Sequence, residues 1–256
     1  MIEVKADFSQ LLEKMTTLQM KQIPFAMSLA INRTAKKIKE AQEREIKDVF
    51  DRPTPYIQNS VFLKPSTKND LTAIVGIKDQ SVKAVPPSKI LSAEIVGGER
   101  RLKRYEKALR AVGALPPGYV ATPGKGATFD AYGNISKGQI EKILAYFKAF
   151  PEAGYKANST AESMARLRRG TRNRVGISYF VGRPANGRLP LGIYQRSHAS
   201  ARFSGPVMPL RPILIFIPTA LYEATLDFRF VAENIIKKEF DSEFNKALVE
   251  AMRTAK

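Results

Sequence analysis

Apolar side chains recur at helical spacing over much of the chain and at strand spacing over residues 57–77 and 174–219. Phe8, Leu11, Leu12, Met15 and Leu18 fall on one face of a short helix over residues 8–18. A longer amphipathic helix is expected after Pro24. Met27, Ile31, Ala35, Ile38 and Ala41 line one side of it, and Lys36, Lys37, Lys39, Glu40, Glu43 and Arg44 fill the other with acid–base pairs at i,i+4. Pro53 and Pro55 hold the residues before them extended and end this helix. Ile57 to Leu63 and Leu71 to Ile77, rich in β-branched and aromatic residues and joined by "PSTKN", predict two strands.

Glu99 to Val112 reads as a helix with Leu102, Tyr105, Ala108, Leu109 and Val112 as its apolar stripe, stopped by Gly113, Pro116 and Pro117. Residues 116–134 carry six glycines and prolines by position 126 and no sustained period, so a loop or extended arm is expected there. Ser136 is placed to cap a helix from Lys137 to Phe147, which Pro151 and Gly154 close, and a further helical stretch covers Thr160 to Leu167. "RVGISYFVGRP", "RLPLGIYQRS" and "RPILIFIPT" predict three strands. Leu221 to Met252 closes the chain as a long helix in which Ile236, Phe240, Phe244, Leu248 and Met252 recur every four residues. Asp227 and Glu233 toward its start and Lys246 and Arg253 toward its end suit the macrodipole.

Together these elements predict an α+β fold, with a small, mostly antiparallel sheet packed with long N- and C-terminal helices. The 256 residues read as a single domain, 1–256, in which 80–170 is a basic helical and loop-rich insertion and strands from both sides of it join one sheet.

Composition removes several function classes. There is no cysteine, so thiol nucleophiles, disulfides and Cys-based metal sites are excluded. The one histidine, His198, lies in the small, polar "QRSHASARFSG" and reads as a surface-loop residue with no nucleophile elbow or triad spacing around it. "GYVATPGKG" fails as a phosphate loop: five residues separate Gly118 from Gly124, and Gly126 stands where a Ser or Thr must follow the lysine. Lys125 in that loop is left as a phosphate contact at most. No metal, cofactor or catalytic residue is expected, and a nuclease built only from Asp and Glu is the least favoured alternative. No apolar run is long enough for a membrane span, and "MIEVKADFSQLLEK" lacks the apolar core of a signal peptide.

Charge restores a positive signal. The net charge is +18, and residues 97–174 alone hold sixteen bases against six acids. Arg166, Arg168, Arg169, Arg172 and Arg174 crowd "ARLRRGTRNRVG" with no acid among them, and Arg100, Arg101, Lys103 and Arg104 form a second cluster. Arginine presents a planar fork suited to phosphate and carboxylate. These residues are therefore expected to contact phosphates without reading sequence, or an acidic surface of a neighbouring subunit.

The stretch "FAMSLAINRTAKKIKEAQEREI", with Ala30-Ile31-Asn32-Arg33 inside a long amphipathic helix, resembles the start of minor tail protein Z of tailed bacteriophages and related tail-completion proteins. "DVFDRPTPYIQNSVF" (48–62) and "GGERRLKRYEKAL" (97–109) are similar to segments of prophage structural proteins. The clearest likeness covers the first quarter of the chain. It implies a non-enzymatic virion protein of the neck or upper tail, made in the bacterial host cytoplasm. Such a protein forms a ring or collar with copies of itself and with connector, tail-terminator or tail-tube proteins around double-stranded DNA. The alternative is a sequence-non-specific DNA-binding protein independent of any particle.

Overall fold

The computed structural model describes residues 2–4, 17–82, 84–150, 158–198, 210–219 and 221–254. In chain order the elements are β1 (Ile2–Val4), α1 (Thr17–Val49), α2 (Pro55–Gln58), β2 (Val61–Lys64), β3 (Ala73–Ile77), α3 (Pro87–Val96), β4 (Gly98–Glu99), α4 (Arg104–Ala111), β5 (Tyr119–Pro123), α5 (Lys137–Tyr146), α6 (Ala161–Arg169), β6 (Gly176–Gly182), β7 (Gly192–His198), β8 (Leu210–Pro218), β9 (Leu221–Tyr222) and α7 (Phe228–Thr254). The fold is α+β, with antiparallel pairing in both larger sheets. The expected helix over residues 8–18 lies outside the described residues except for its last two, which belong to α1.

The chain divides into two compact units. Unit 1 comprises Met1–Gly98 and Tyr222–Lys256, and unit 2 comprises Glu99–Leu221. This corrects the picture of one domain with an insertion over 80–170. The inserted part begins later, ends later, and has its own sheet and core. The chain passes between the units at β4 and β9, two dipeptide strands that pair with each other. Strands from either side of the insertion do not share a sheet: β2 and β3 join β1 in unit 1, whereas β6, β7 and β8 join β5 in unit 2.

Unit 1 is organised on α1. Met27, Ile31, Ala35 and Ile38 are buried against Val61, Ala73 and Val75 of the sheet β1-β3-β2, as the helical spacing required. The helix begins before Pro24 rather than after it. A proline there removes one backbone hydrogen bond, and the burial of Ile23, Ala26 and Met27 on either side offsets that loss. On its other side α1 packs antiparallel to α7 through a seam of Ala26 and Ala30 with Ala247 and Ala251, all without solvent exposure. Small side chains let the two backbones approach closely. Charged pairs flank the seam: Arg33 with Glu250 at 2.7 Å, and Lys37 with Glu239 at 2.7 Å and Glu243 at 2.8 Å. Asp227, just before α7, accepts the Phe230 amide at 2.9 Å and so caps a helix that starts later than Leu221.

The "AINR" tetrapeptide acquires a structural reason in this setting. Ala30 and Ile31 are core, and Arg33 pairs with α7. Asn32 clamps the chain just beyond β2: its Oδ1 accepts the Ser66 amide at 2.7 Å and its Nδ2 donates to the Ser66 carbonyl at 3.0 Å. Ile57, expected to open a strand, instead lies in the single turn α2, where Pro55 at the first helical position sets the helical φ.

Unit 2 is a four-stranded sheet in the order β5-β8-β7-β6 with α4, α5 and α6. Leu109 of α4 and Ile143 and Leu144 of α5 are buried with Tyr179, Ile193, Ile213 and Phe216 of the sheet. β5 replaces part of the expected loop over 116–134. It pairs with β8 from Tyr119↔Pro218 to Pro123↔Leu214, and as an edge strand it tolerates the proline. The helix expected from Glu99 begins only at Arg104, because Glu106 turns back to accept the Lys103 amide at 2.6 Å and fixes the start there.

Candidate functional site

Unit 2 contains 21 of the chain's lysines and arginines against 6 acids, a surplus of 15 within a net charge of +18. It also contains a concavity of about 900 Å³ between α5, α6 and the sheet. Its floor is a row that runs straight across three strands. Tyr179 on β6 stands opposite Gln195 on β7, which stands opposite Arg211 on β8. Burial pushes the Tyr179 phenol up from its ordinary pKa, and the Arg211 charge opposes that shift only in part, so the ring remains a neutral phenol at pH 7.

The walls follow from helical spacing. Gly138, Lys142 and Ala145 of α5, Ser163 and Arg166 of α6, and Gly170 just after it face the cleft at steps of three or four residues. Local hydrogen bonds hold both helices in place. Thr160 Oγ1 caps α6 by accepting the Ser163 amide at 3.1 Å, and the Ser159 amide donates to the Ala145 carbonyl at 2.9 Å, tying α6 to α5. Gln139 Oε1 accepts the Thr128 amide at 2.7 Å, and Arg211 Nη2 donates to the Gly126 carbonyl at 3.3 Å. The C-terminal end of α6 lies directly on β6. Gly170 sits at φ +70, and a methyl group on Gly176 would run into the Arg168 carbonyl, so neither position accepts a side chain without moving backbone.

Four cations line this cleft: Lys142, Arg166, Arg174 and Arg211. None has a carboxylate partner among the described residues, and no Asp or Glu is in the lining. A concavity lined by charge of one sign focuses its field and attracts anions.

The residues expected from sequence therefore separate into three groups. Arg166 and Arg174 enter the cleft. Arg168 and Arg169 on α6 and Arg172 in the following turn are exposed outside its lining, as are Arg101, Lys103, Arg104 and Lys125. Arg100 is committed to the interior. Its guanidinium donates to both oxygens of Glu106, at 2.8 and 2.6 Å, and the Glu106 side chain has 0% exposure. Burial pushes the Glu106 carboxyl up, but the Arg100 hydrogen bond and the Ala121 and Lys103 amides outweigh it and hold its pKa below the ordinary value. Glu106 thus ties α4 to β5, and Arg100 is committed to Glu106 rather than being a free surface cation.

Sequence reasoning passed over Lys142 and Arg211. Both carried a signal. Lys142 has Gly138 and Tyr146 at i−4 and i+4, so its own helix offers no acid at those positions, and Arg211 is a lone charge in an otherwise apolar strand.

His198 also needs correction. It ends strand β7 and is half-buried rather than lying in a surface loop, and its Nε2 is 2.8 Å from Ser178 Oγ. Burial, and then the charges of Arg168 and Arg196, hold its pKa below the ordinary histidine value. Among the described residues no carboxylate is bonded to the ring as the third member of a nucleophilic triad would be.

No helix among the described residues is long and apolar enough to cross a membrane. Comparison with protein-family models, with curated proteins and with solved structures finds no match to this chain.

Proposed function

We propose that the protein is a non-enzymatic structural component of a tailed-phage virion, at the head–tail junction or in the upper tail. It works in multiple copies beside connector, tail-terminator or tail-tube proteins that surround the DNA. The observation that carries this reading is the division of labour between the units. Unit 1 neutralises its own charges along two long helices, while unit 2 concentrates the surplus and presents Arg166, Arg168, Arg169, Arg172 and Arg174 exposed. A unit that leaves so many cations uncompensated is suited to an acidic partner. The likeness of residues 25–46 to tail-completion proteins supplies the virion setting, and the tetrapeptide that bears it holds α1 in the unit 1 scaffold.

Mass spectrometry and labelled-antibody imaging of purified particles test this. The protein is expected in the neck or tail, and its absence from particles that are otherwise complete overturns the reading. Replacing Arg168, Arg169 and Arg172 together by alanine is expected to leave the fold intact and to reduce assembly of particles.

A second reading, sequence-non-specific DNA binding, is favoured by one observation: those three arginines are exposed outside the cleft, open to a phosphate backbone. It requires duplex affinity that falls steeply with salt, and absence of binding at low salt removes it.

A further inference from the structure

We propose that the cleft of unit 2 receives an acidic peptide segment of a neighbouring protein, seated between α5 and α6 over the sheet. This deepens the assembly reading, and the choice of a protein partner rests on that reading. Lys142, Arg166, Arg174 and Arg211 come from four separate stretches of the chain and converge on one concavity. Four uncompensated cations repel one another, and an anion brought from outside relieves that repulsion. Acids are available on the same two helices and are turned away from this task. Glu141 pairs with Lys137 at 3.6 Å, and Glu162 is exposed outside the lining.

Shape and chemistry narrow the occupant. A concavity of about 900 Å³ has the dimensions of a ligand pocket, so a few extended residues or nucleotides enter it and a duplex does not. Single-stranded nucleic acid is held by aromatic rings on which bases stack. The one aromatic residue of the lining, Tyr179, is only 6% exposed, and its ring is met edge-on by Tyr146 at 5.3 Å. Among the described residues no stacking platform is therefore offered. What the walls do offer beside the cations is the hydroxyls of Ser136, Ser159 and Ser163, the Gln195 amide, and apolar contact from Leu167 and Val175. That combination matches carboxylates carried on a peptide backbone, with arginine forks closing on the carboxylates.

Fluorescence anisotropy with a dye-labelled Asp/Glu-rich dodecapeptide and the full chain tests the proposal, at about 50 mM salt so that screening is modest. Saturable binding is expected, and Arg166→Ala with Arg174→Ala should weaken it at least about tenfold. Arg183→Ala with Arg188→Ala removes as much charge from the same unit outside the lining and should change affinity less than about threefold. Circular dichroism verifies folding, and Lys142→Glu serves as the second cleft variant should the double variant not fold.

Absence of saturable binding overturns the proposal. So does equal weakening by the two double variants, which would assign binding to surface charge in general. A single-stranded oligonucleotide or a nucleoside triphosphate that binds more tightly through Arg166 and Arg174 overturns it in favour of a phosphate ligand. Peptide binding by a protein absent from virions keeps the cleft and removes the virion setting. A virion protein without peptide binding does the reverse.

Discussion

The two units treat positive charge in opposite ways. Unit 1 has 21 bases and 18 acids, and the cations beside its helix seam reach carboxylates on the opposite helix. Unit 2 has its surplus of 15, and among the described residues its cleft cations reach none. Exposed ion pairs contribute little stability, so the pairs of unit 1 act chiefly on geometry. An alanine seam is smooth, and Arg33–Glu250 at one end with Lys37–Glu239 and Lys37–Glu243 further along fix how α7 slides on α1. Charge in unit 1 is thus used up in building the fold. In most of unit 2 it is left over, and the leftover charge is what another molecule can use.

The largest test of this contrast is at Arg100 and Glu106, the place where unit 2 behaves like unit 1. Glu106→Gln keeps the shape of the side chain but strips the charge that neutralises a guanidinium only 17% exposed. A loss of about 3 kcal/mol in unfolding free energy is expected by urea denaturation, because a mostly buried guanidinium loses the carboxylate that holds it through both oxygens. The pH dependence has a definite sign. The Glu106 pKa is lowered in the fold, so its contribution is present in full above about 4.5, the unfolded value, and is lost as pH falls through the folded value. Glu106→Gln should flatten that acid limb, and an unchanged acid limb would mean the pair does not carry it.

A smaller effect is expected at Lys37→Met, which leaves Glu239 without a partner and Glu243 with Lys246 alone at 3.3 Å. The Tm should fall, by less than in Glu106→Gln. Arg166→Ala with Arg174→Ala should leave stability within about 0.5 kcal/mol of the parent, since exposed side chains without partners contribute little to folding. If this cleft variant lost more stability than Lys37→Met, the contrast between committed and uncommitted charge would fail.

The smallest effect is read at His198. Its pKa is lowered in the fold, so it adds nothing to pH dependence well above 6.5. Stability declines as pH falls below about 6.5, where the unfolded chain takes up the proton first. Arg168→Ala should move its titration upward toward the ordinary value. Because the chain has a single histidine, proton NMR follows the change without overlap. An unmoved titration would leave burial and the Arg196 charge as the causes.

Periodicity gave α1, α5, α6, α7 and the strands β6 to β8, because each buries one face and the sequence repeats at the period of that face. It failed where burial is brief. β5 shows only Tyr119 to Thr122 between turn residues, and what makes it a strand is β8, more than 90 residues further along the chain. Pro24 reads as a boundary in the sequence, although tertiary burial carries α1 through it. The same limit governs the site. The charge run displayed Arg166 and Arg174 plainly, yet nothing local distinguished them from Arg168 and Arg169. Only the packing of α6 on β6, permitted by Gly170 and Gly176, decides which arginines turn into the cleft. Likewise Arg100 is indistinguishable from its neighbours in the sequence, and only the buried Glu106 beside it sets it apart. Sequence reports which charges are present, and tertiary structure decides which are consumed.

The paired dipeptides β4 and β9 bear on how such a chain can fold at all. α1 and α7 must find each other although all of unit 2 lies between them in sequence. Closing a loop of that length costs conformational entropy and slows the search. A folded unit 2 returns the chain beside the point where it entered, about 5 Å away at the spacing of neighbouring strands. For the helix pair, the intervening sequence then shrinks to little more than a tight turn. Unit 2 would in this way act as an intramolecular splint, and folding it first makes a distant pairing nearly local.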